Sequence, residues 1–230
     1  MKVLVNKPIH ASALKRLQEE AEVLTPFAAT YQELMELLPD IDGLLLCAGF
    51  AVRQQEIEHA PRLRVVGRHG VGLDNVDIQA ATTHGLPVVY TPYGPTESTA
   101  EHAFLLILST ARHLPMLDSA TRKGDFDIRN QPQSMGIELK GKTLGVVGFG
   151  RIGRRLAQMC QAALEMPVCV YDPYLDPRNV TEWGATPVDN LVELARQVDV
   201  LSLHMPATAK THHLVNKTCG RKSSSTLTFS

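Results

Sequence analysis

The sequence predicts an α/β protein built on parallel sheets, and three observations support that class. Short, fully apolar runs such as residues 44–47 and 144–147 are typical of strands buried on both faces of a parallel sheet. Segments with helical spacing of apolar residues separate such runs along most of the chain. Glycines at positions 148, 150 and 153 stand where one apolar run turns into a helix, which predicts a sharp strand-to-helix turn.

The first predicted unit covers residues 1–97 and alternates strand with helix. Short apolar runs predict its strands at residues 2–5, 44–47, 63–66 and 87–90. Helical spacing predicts its helices at residues 14–21, 31–38, 52–60 and 76–83. Pro92, Gly94 and Pro95 cluster where this unit is expected to end.

The second predicted unit covers residues 98–217 and begins with a helix. Ser98 and Glu101 have the spacing of a capping box, with a hydroxyl at the N-cap and an acid three residues later. This makes Glu101 a helix cap rather than a catalytic carboxylate. Residues 103–111 are apolar nearly all round, which predicts a helix buried between two layers.

The rest of the second unit again alternates. Its strands are predicted at residues 144–147, 168–171, 185–188 and 199–204. Its helices are predicted at residues 117–123 and 191–197 and after the glycines, where one face carries Ile152, Leu156, Cys160 and Ala163. Residues 124–136 are expected to be irregular and residues 173–186 rich in turns. The alternation stops before residues 218–230, a polar, hydroxyl-rich tail that is expected to be disordered or loosely attached.

Each glycine of the turn has a physical task. Gly148 permits the tight turn, and Gly150 has no side chain, so that the main chain can approach a pyrophosphate. Gly153 lets the following helix pack against the strand. The helix start offers free N–H groups and the positive end of the helix dipole to phosphates.

An acid follows at the expected distance. Asp172 ends the apolar run 168–171, about 20 residues past Gly153, where a carboxylate hydrogen-bonds the adenosine ribose. Its negative charge repels a 2′-phosphate, so the pattern favours NAD over NADP. Strands 144–147 and 199–204 are expected to form the two walls of the cofactor crevice. The alternative is a structural turn followed by a surface aspartate.

Composition limits the remaining function classes. A net charge of −1 gives no reason to expect a nucleic-acid or anionic-membrane partner. Cys47, Cys160 and Cys169 lie in apolar runs, and these with Cys219 lack metal-ligand spacing. Buried thiols, the absence of a signal peptide and apolar stretches too short to span a bilayer predict a cytoplasmic protein with no membrane partner. No metal site is predicted, because adjacent residues such as His212 and His213 point apart on a strand or helix.

Four segments resemble one family, the NAD-dependent D-isomer-specific 2-hydroxyacid dehydrogenases, which include phosphoglycerate dehydrogenase and glyoxylate/hydroxypyruvate reductases. The segments are residues 67–77, 98–102, 141–153 and 202–206, the last followed by Thr208 and residues 211–216. Their order and spacing agree with the family over roughly residues 1–217. The resemblance implies a flavodoxin-like parallel-sheet substrate domain followed by an incomplete Rossmann NAD-binding domain.

The resemblance also implies roles for residues. His69, Gly70, Val71 and Gly72 form a loop whose main-chain N–H groups would hold the substrate carboxylate, with Val71 also near the nicotinamide. Arg151 and Ile152 would lie at the pyrophosphate of NAD and Asp172 at the ribose. The end of the strand at residues 199–204 would line the cofactor cleft through His204, Met205 and Pro206. The family transfers hydride between NAD(H) and a 2-hydroxy or 2-oxo acid such as phosphoglycerate, glyoxylate or hydroxypyruvate, and often forms homodimers through residues around 100–140.

The sequence departs from the family pattern after Asn216. The arginine, glutamate and histidine that carry the family's chemistry fall beyond that point in the pattern, and no histidine or glutamate follows residue 217. We therefore assign no catalytic residue. The composition break suggests a truncation or frameshift near residue 217 and predicts weak NAD binding with negligible turnover.

Alternatives remain for the function and for single residues. The same resemblance extends to non-catalytic, NAD-sensing corepressors, whereas a methyltransferase with a similar glycine turn conflicts with Arg151, Ile152 and residues 204–206. His204 either contacts the cofactor or satisfies the main chain at a strand end. His69 either contacts an acidic substrate or faces water, and Arg68 is expected to pair with a surface acid.

Overall fold

The computed structural model describes residues 1–208 and 210–216 together with the short strand Thr226–Leu227. The chain divides into two compact units, Met1–Pro95 and Thr96–Ser230. The boundary expected from the sequence, after residue 97, lies two residues further along the chain.

A five-stranded parallel sheet forms the centre of the first unit. Its strands are β1 Lys2–Val5, β2 Glu22–Leu24, β3 Gly43–Leu46, β4 Val65–Arg68 and β5 Val88–Tyr90. Their order in the sheet is β2-β1-β3-β4-β5, and every neighbouring pair is parallel. This is the flavodoxin-like order, so the predicted fold of the unit is confirmed. The sequence analysis missed β2, a three-residue edge strand that buries no side chain fully and therefore lacks a continuous apolar run.

Helices cover the sheet of the first unit. They are α1 Ala11–Glu20, α2 Tyr31–Leu37, α3 Gln54–Glu58 and α4 Ile78–Thr83, with a short 3₁₀ helix at Leu38–Asp40. Helix α3 is shorter than predicted, because Val52 forms a parallel bridge with Val76 instead of a first helical turn. Asp77 caps α4 by accepting the N–H of Ala80 at 2.9 Å.

A second five-stranded parallel sheet forms the centre of the second unit. Its strands are β6 Leu144–Val147, β7 Val168–Tyr171, β8 Thr186–Pro187, β9 Val200–Leu203 and β10 Thr226–Leu227. Their order is β10-β9-β6-β7-β8. Counted from β6, this is the order 3-2-1-4-5 of a Rossmann sheet, in which the direction of winding reverses between β6 and β9. The Rossmann prediction is confirmed.

Strand β10 falls within the tail for which no strand was expected. Thr226 and Leu227 pair with Val200 and Leu201 of β9 in parallel register. The prediction of a tail without regular structure therefore differs from the structure at these two residues. The rest of residues 217–230 lies outside the described part of the chain.

Helices of the second unit pack on both faces of its sheet. They are α5 Thr96–Ala111, α6 Leu114–Arg122, α7 Arg151–Leu164, α8 Pro177–Thr181 and α9 Leu191–Gln197, with 3₁₀ helices at Asp127–Asn130 and Pro132–Ser134. The sequence analysis missed α8, although Asp176 and Pro177 form an N-cap followed by proline at the first helical position. No helix in the described part of the chain is both long and apolar enough to cross a bilayer.

Two predictions about α5 are wrong. The helix begins at Thr96, so Ser98 and Glu101 lie inside it and do not form a capping box. It buries a single face made of small residues and Ile107, and Leu105 on another face is 51% exposed. The apolar run was long enough to surround the helix, but α5 packs against α7 on one side only.

The buried face of α7 overlaps the predicted one. Leu156 and Cys160 are buried as predicted and Ile152 is partly buried, whereas Ala163 is exposed. Gly153 and Ala157 complete the buried face, and Gly153 lets the helix lie close to its strand because no Cβ intervenes. Leu156 is fully buried in the core of the second unit.

We expect Leu156→Ala to lower the free energy of unfolding of the second unit by about 2–5 kcal/mol, because a buried leucine leaves a cavity when truncated. The exposed neighbour Gln158 gives the control, since Gln158→Ala should change stability by less than about 0.5 kcal/mol. The chain has one tryptophan, Trp183, and it packs against this core, so urea unfolding followed by tryptophan fluorescence reports on the second unit. Equal midpoints for the two variants would contradict the assigned helix face.

Candidate functional site

The glycine turn after β6 lies directly against the end of β9. Gly148 has φ +88°, a left-handed value that favours glycine. A Cβ at this position would lie 2.9 Å from the carbonyl carbon and oxygen of His204 and from the amide nitrogen of Met205. No side chain fits between these two main-chain segments, which therefore form one continuous surface.

Phe149, between Gly148 and Gly150, is hydrogen-bonded through both its main-chain N–H and its carbonyl. The N–H of Phe149 donates to Asp172 Oδ2 at 2.8 Å, and its carbonyl accepts from Arg154 Nε at 3.0 Å. The ring of Phe149 is fully buried and meets Trp183 edge to face, with 6.5 Å between centroids. The guanidinium of Arg154 stacks on both rings. These contacts fix the conformation of the turn.

Gly150 is the N-cap of α7, and in the described part of the chain no side chain caps this helix end. A Cβ on Gly150 would meet no atom within 4 Å, so the space in front of this helix end is open. A Cβ on Gly153 would collide with the carbonyl oxygen of Gly148, so this glycine lets α7 approach the turn. The geometry agrees with the tasks predicted for Gly148 and Gly153, and the approach of a pyrophosphate to Gly150 stays a prediction.

Asp172 points into the turn. It follows β7, and besides the bond to Phe149 its Oδ1 accepts the N–H of Tyr174 at 3.0 Å. Each carboxylate oxygen has two lone pairs, so both oxygens keep capacity for a further donor such as a sugar hydroxyl. The carboxylate is partly buried at the carboxyl end of its strand.

A cavity of about 330 Å³ opens at the carboxyl ends of β6, β7 and β9. The predicted cofactor residues that line it are Gly148, Gly150, Asp172, His204, Met205 and Pro206. Arg151 lines an adjoining cavity of about 410 Å³ together with Gly150 and Asp172. Ile152 and Gly153 line neither of these two cavities.

The sequence analysis did not assign several residues that line the cavity between these strand ends: Tyr171, Pro173, Tyr174, Thr208, Lys210, Thr211 and Leu214. Two signals were available in the sequence. Ligands of such sheets bind beyond the carboxyl ends of strands, which indicates the residues flanking Asp172. Thr208 and Thr211 belonged to a segment that carried the family resemblance, and their hydroxyls hydrogen-bond each other at 3.1 Å.

His204 is held neutral at the wall of this cavity. Its N–H donates to the carbonyl of Val147 at 2.7 Å, and its Nε2 lies 2.9 Å from Ser202 Oγ. Burial lowers the pKa of the His204 imidazole from 6.5 to about 4, because the charged form loses its hydration. A neutral ring at physiological pH offers hydrogen bonds to a ligand and no positive charge.

The loop after β4 in the first unit carries the predicted substrate residues. The amide of His69 donates to the carbonyl of Leu46 at 2.9 Å, and the amide of Gly70 donates to Thr91 Oγ1 at 2.9 Å. Among the described residues, the amides of Val71 and Gly72 have no acceptor. Only these two of the four predicted amides are therefore available to a ligand. The contact of Val71 with a nicotinamide stays a prediction.

Side chains around this loop differ from expectation. Arg68 pairs with no surface acid in the described part of the chain, because its guanidinium donates to the carbonyls of His69 and Gly72 and to Asn75 Oδ1. His69 is exposed, and its Nδ1 lies 3.8 Å from Cys47 Sγ.

The remaining histidine and cysteine predictions have mixed outcomes. His212 and His213 are exposed, but their rings meet with 3.9 Å between centroids because His213 adopts φ +54°. The prediction that they point apart is wrong. Cys160 is buried, and desolvation raises the pKa of its thiol to about 12. Cys169 is only partly buried. Within the described residues no group of three or more potential metal ligands occurs.

The site as a whole fits one kind of ligand. A helix that begins at a glycine with open space before it, a turn where no Cβ fits and a carboxylate with spare lone pairs at the end of the next strand define a dinucleotide-binding Rossmann protein.

A family comparison makes the assignment specific. Residues 104–226 match the family model described as the NAD binding domain of D-isomer specific 2-hydroxyacid dehydrogenases. The chain belongs to this family, and the prediction of NAD as the cofactor is confirmed.

Curated relatives agree with the family. D-3-phosphoglycerate dehydrogenase of Methanocaldococcus jannaschii is 40% identical over 218 residues, which cover 94% of this chain and 41% of the relative. Glyoxylate reductase of Pyrococcus furiosus is 34% identical over 223 residues, covering 94% of this chain and 66% of the relative. The chain thus spans less than half the length of that phosphoglycerate dehydrogenase.

Solved structures share the fold. The TT0316 protein from Thermus thermophilus superimposes with a TM-score of 0.86 at 31% identity, over 100% of this chain and 73% of that chain. D-lactate dehydrogenase from Aquifex aeolicus, solved with NAD and lactic acid, gives a TM-score of 0.81 at 26% identity, over 95% of this chain and 65% of that one.

The low pKa of His204 has a consequence for stability. Between pH 6.5 and about 4 the unfolded chain takes up a proton at this histidine and the folded chain does not, so stability falls as pH falls through this window. Between neutral pH and about pH 4.5, we expect the free energy of unfolding to fall by about 2–3 kcal/mol more in the wild type than in His204→Gln. Urea unfolding followed by Trp183 fluorescence gives both values, and titration of carboxylates cancels between the variants. Equal losses would show that His204 is not the group responsible.

Proposed function

We propose that this site serves hydride transfer between NAD(H) and a 2-hydroxy or 2-oxo acid such as phosphoglycerate, glyoxylate or hydroxypyruvate. The hydrogen bond between Asp172 and Phe149 carries the proposal, because it fixes an acidic ribose partner beside the glycine turn that begins α7. NAD supplies the hydride acceptor when bound.

The second unit holds the cofactor in this proposal. The main chain at Gly150, Arg151 and Ile152 binds the pyrophosphate, since Gly150 leaves open space in front of the start of α7. Asp172 accepts hydrogen bonds from the ribose hydroxyls and repels a 2′-phosphate. His204, Met205 and Pro206 form the wall on the β9 side, where a neutral His204 excludes water without adding charge.

The first unit holds the substrate carboxylate in this proposal. The amides of Val71 and Gly72 are its donors, because the amides of His69 and Gly70 are already occupied within the unit. Main-chain N–H groups that bind an anion need no change of protonation.

Acid/base work is not assigned to a residue of this chain. His204 is a weak base with a pKa of about 4, and its Nε2 is engaged with Ser202. The family's arginine, glutamate and histidine fall outside the matching segments. We therefore expect the 230-residue chain to bind NADH and to reduce glyoxylate or hydroxypyruvate at a negligible rate, followed by the absorbance of NADH. Turnover well above the enzyme-free rate would contradict this assignment.

A matched pair of variants tests the cofactor site. Asp172→Asn and Asp176→Asn each remove one negative charge, but only Asp172 faces the glycine turn, whereas Asp176 caps α8, a role that asparagine keeps. We expect Asp172→Asn to weaken NADH binding about tenfold and to reduce the preference for NADH over NADPH, since hydrogen bonds to a charged acceptor are lost. Asp176→Asn should bind like the wild type. Isothermal titration with both cofactors measures the effect, and wild-type behaviour of Asp172→Asn would refute the ribose role.

We also propose that the chain forms a homodimer through α5 and the segment that follows it. Leu105, Phe126 and Met135 are 51%, 63% and 73% exposed, and all three lie in α5 or in the segment that follows it. The carbonyl of Met135 lies 3.2 Å from His113 Nε2, which joins this segment to the end of α5.

A charge in this surface should separate the subunits. We expect Leu105→Glu to convert the dimer to a monomer in light scattering coupled to size exclusion. Val89→Glu is the control, because Val89 is 59% exposed on β5 of the first unit. A wild-type monomer, or dissociation by the control alone, would contradict the proposed surface.

We place this function in the cytoplasm. Cys47, Cys160 and Cys169 are free thiols, as expected in a reducing compartment.

A further inference from the structure

Thr91, the residue after β5, forms hydrogen bonds with both polar main-chain groups of Gly70 in the loop that follows β4. Its Oγ1 accepts the N–H of Gly70 at 2.9 Å, and its own N–H donates to the carbonyl of Gly70 at 3.1 Å. The hydroxyl also lies 3.4 Å from that carbonyl. Both polar main-chain groups of Gly70 are therefore bound to a single residue.

These hydrogen bonds set the direction of the Val71 N–H. The carbonyl of Gly70 and the N–H of Val71 belong to one planar trans peptide and point in opposite directions. Because the carbonyl is turned toward Thr91, the N–H of Val71 is turned away from it. Gly70 has φ +145°, a conformation that side chains rarely adopt, and a Cβ there would lie 2.8 Å from Arg68 Nη1. Glycine therefore suits this position, and the conformation of its peptide is held by Thr91.

Arg68 donates hydrogen bonds to the carbonyls on either side, those of His69 and Gly72. Its Nε donates to the carbonyl of Gly72 at 3.0 Å and to Asn75 Oδ1 at 3.1 Å, and its Nη1 donates to the carbonyl of His69. Asn75 in turn donates to the carbonyl of Cys47 at 3.0 Å. The acceptors of the loop thus meet the guanidinium, and an anion at the amides of Val71 and Gly72 does not face them.

We propose that Thr91 is a positioning residue: its hydroxyl and amide hold the Gly70–Val71 peptide so that the Val71 N–H is aimed at the carboxylate of the 2-oxo acid. The inference rests on the proposed function of this loop. Thr91 itself does not touch the substrate. Its effect passes through one peptide plane, with Arg68 fixing the carbonyls on either side.

The test compares Thr91→Val, which has the shape of threonine without the hydroxyl, with Thr91→Ser, which keeps it. Amide hydrogen exchange by NMR on the ligand-free full chain measures how well the Thr91 hydroxyl protects the Gly70 N–H. We expect the Gly70 amide to exchange at least about tenfold faster in Thr91→Val and at the wild-type rate in Thr91→Ser, because only the hydroxyl protects it. Unchanged shifts elsewhere in the first unit show that the variants fold.

Titration with glyoxylate, with uncharged glyoxylamide as the control ligand, measures the consequence. We expect glyoxylate to shift the Val71 and Gly72 amides of the wild type and Thr91→Ser with equal affinity, and those of Thr91→Val with about tenfold lower affinity. Unaltered exchange or unaltered affinity in Thr91→Val would overturn the positioning role. Suppose that the Gly70 amide exchanges faster in Thr91→Val but that glyoxylate shifts neither the Val71 nor the Gly72 amide of the wild type. The proposed substrate role of the loop is then wrong, and so is the positioning role of Thr91. The cofactor proposal would be unaffected, since it is measured separately through Asp172.

Discussion

The second unit depends on a contact of main chain with main chain where β6 turns into α7. Gly148 lies against the end of β9 and Gly153 against the carbonyl of Gly148, and at both positions a Cβ would come within 2.9 Å of backbone atoms. Because backbone cannot yield as a flexible side chain can, this approach fixes the turn, the tilt of α7 and the junction with β9 together. The open helix end in front of Gly150 is a consequence of that approach.

Asp172 links this turn to the next strand. Its carboxylate accepts the amide of Phe149 in the turn and the amide of Tyr174 beyond β7. The residue that we propose as the ribose partner is thereby also part of the glycine turn's own hydrogen bonding. Arg154 supports the same turn from the other side by binding the carbonyl of Phe149. The turn is thus hydrogen-bonded within the chain without a ligand, and such preorganisation lowers the entropy that binding costs.

The two anion sites that we propose, one in each unit, are built alike. The pyrophosphate site uses the main chain at the start of α7, and the carboxylate site uses the amides of Val71 and Gly72 in the loop after β4. In each case an arginine occupies the carbonyls of the same segment, Arg154 for Phe149 and Arg68 for the substrate loop. Binding the acceptors leaves only donors toward the ligand.

The sequence by itself determined the parallel sheets apart from β2 and β10, the glycine turn, the position of Asp172 and the family, because buried parallel strands leave continuous apolar runs and the turn tolerates glycine alone. It did not determine the edge strands β2 and β10 or where α5 begins, since those depend on what each element packs against. Nor did it show that Arg68 and Thr91 hold the substrate loop. Thr91 lies 21 residues from Gly70, and only the pairing of β4 with β5 brings the two together, so their contact leaves no local pattern in the chain.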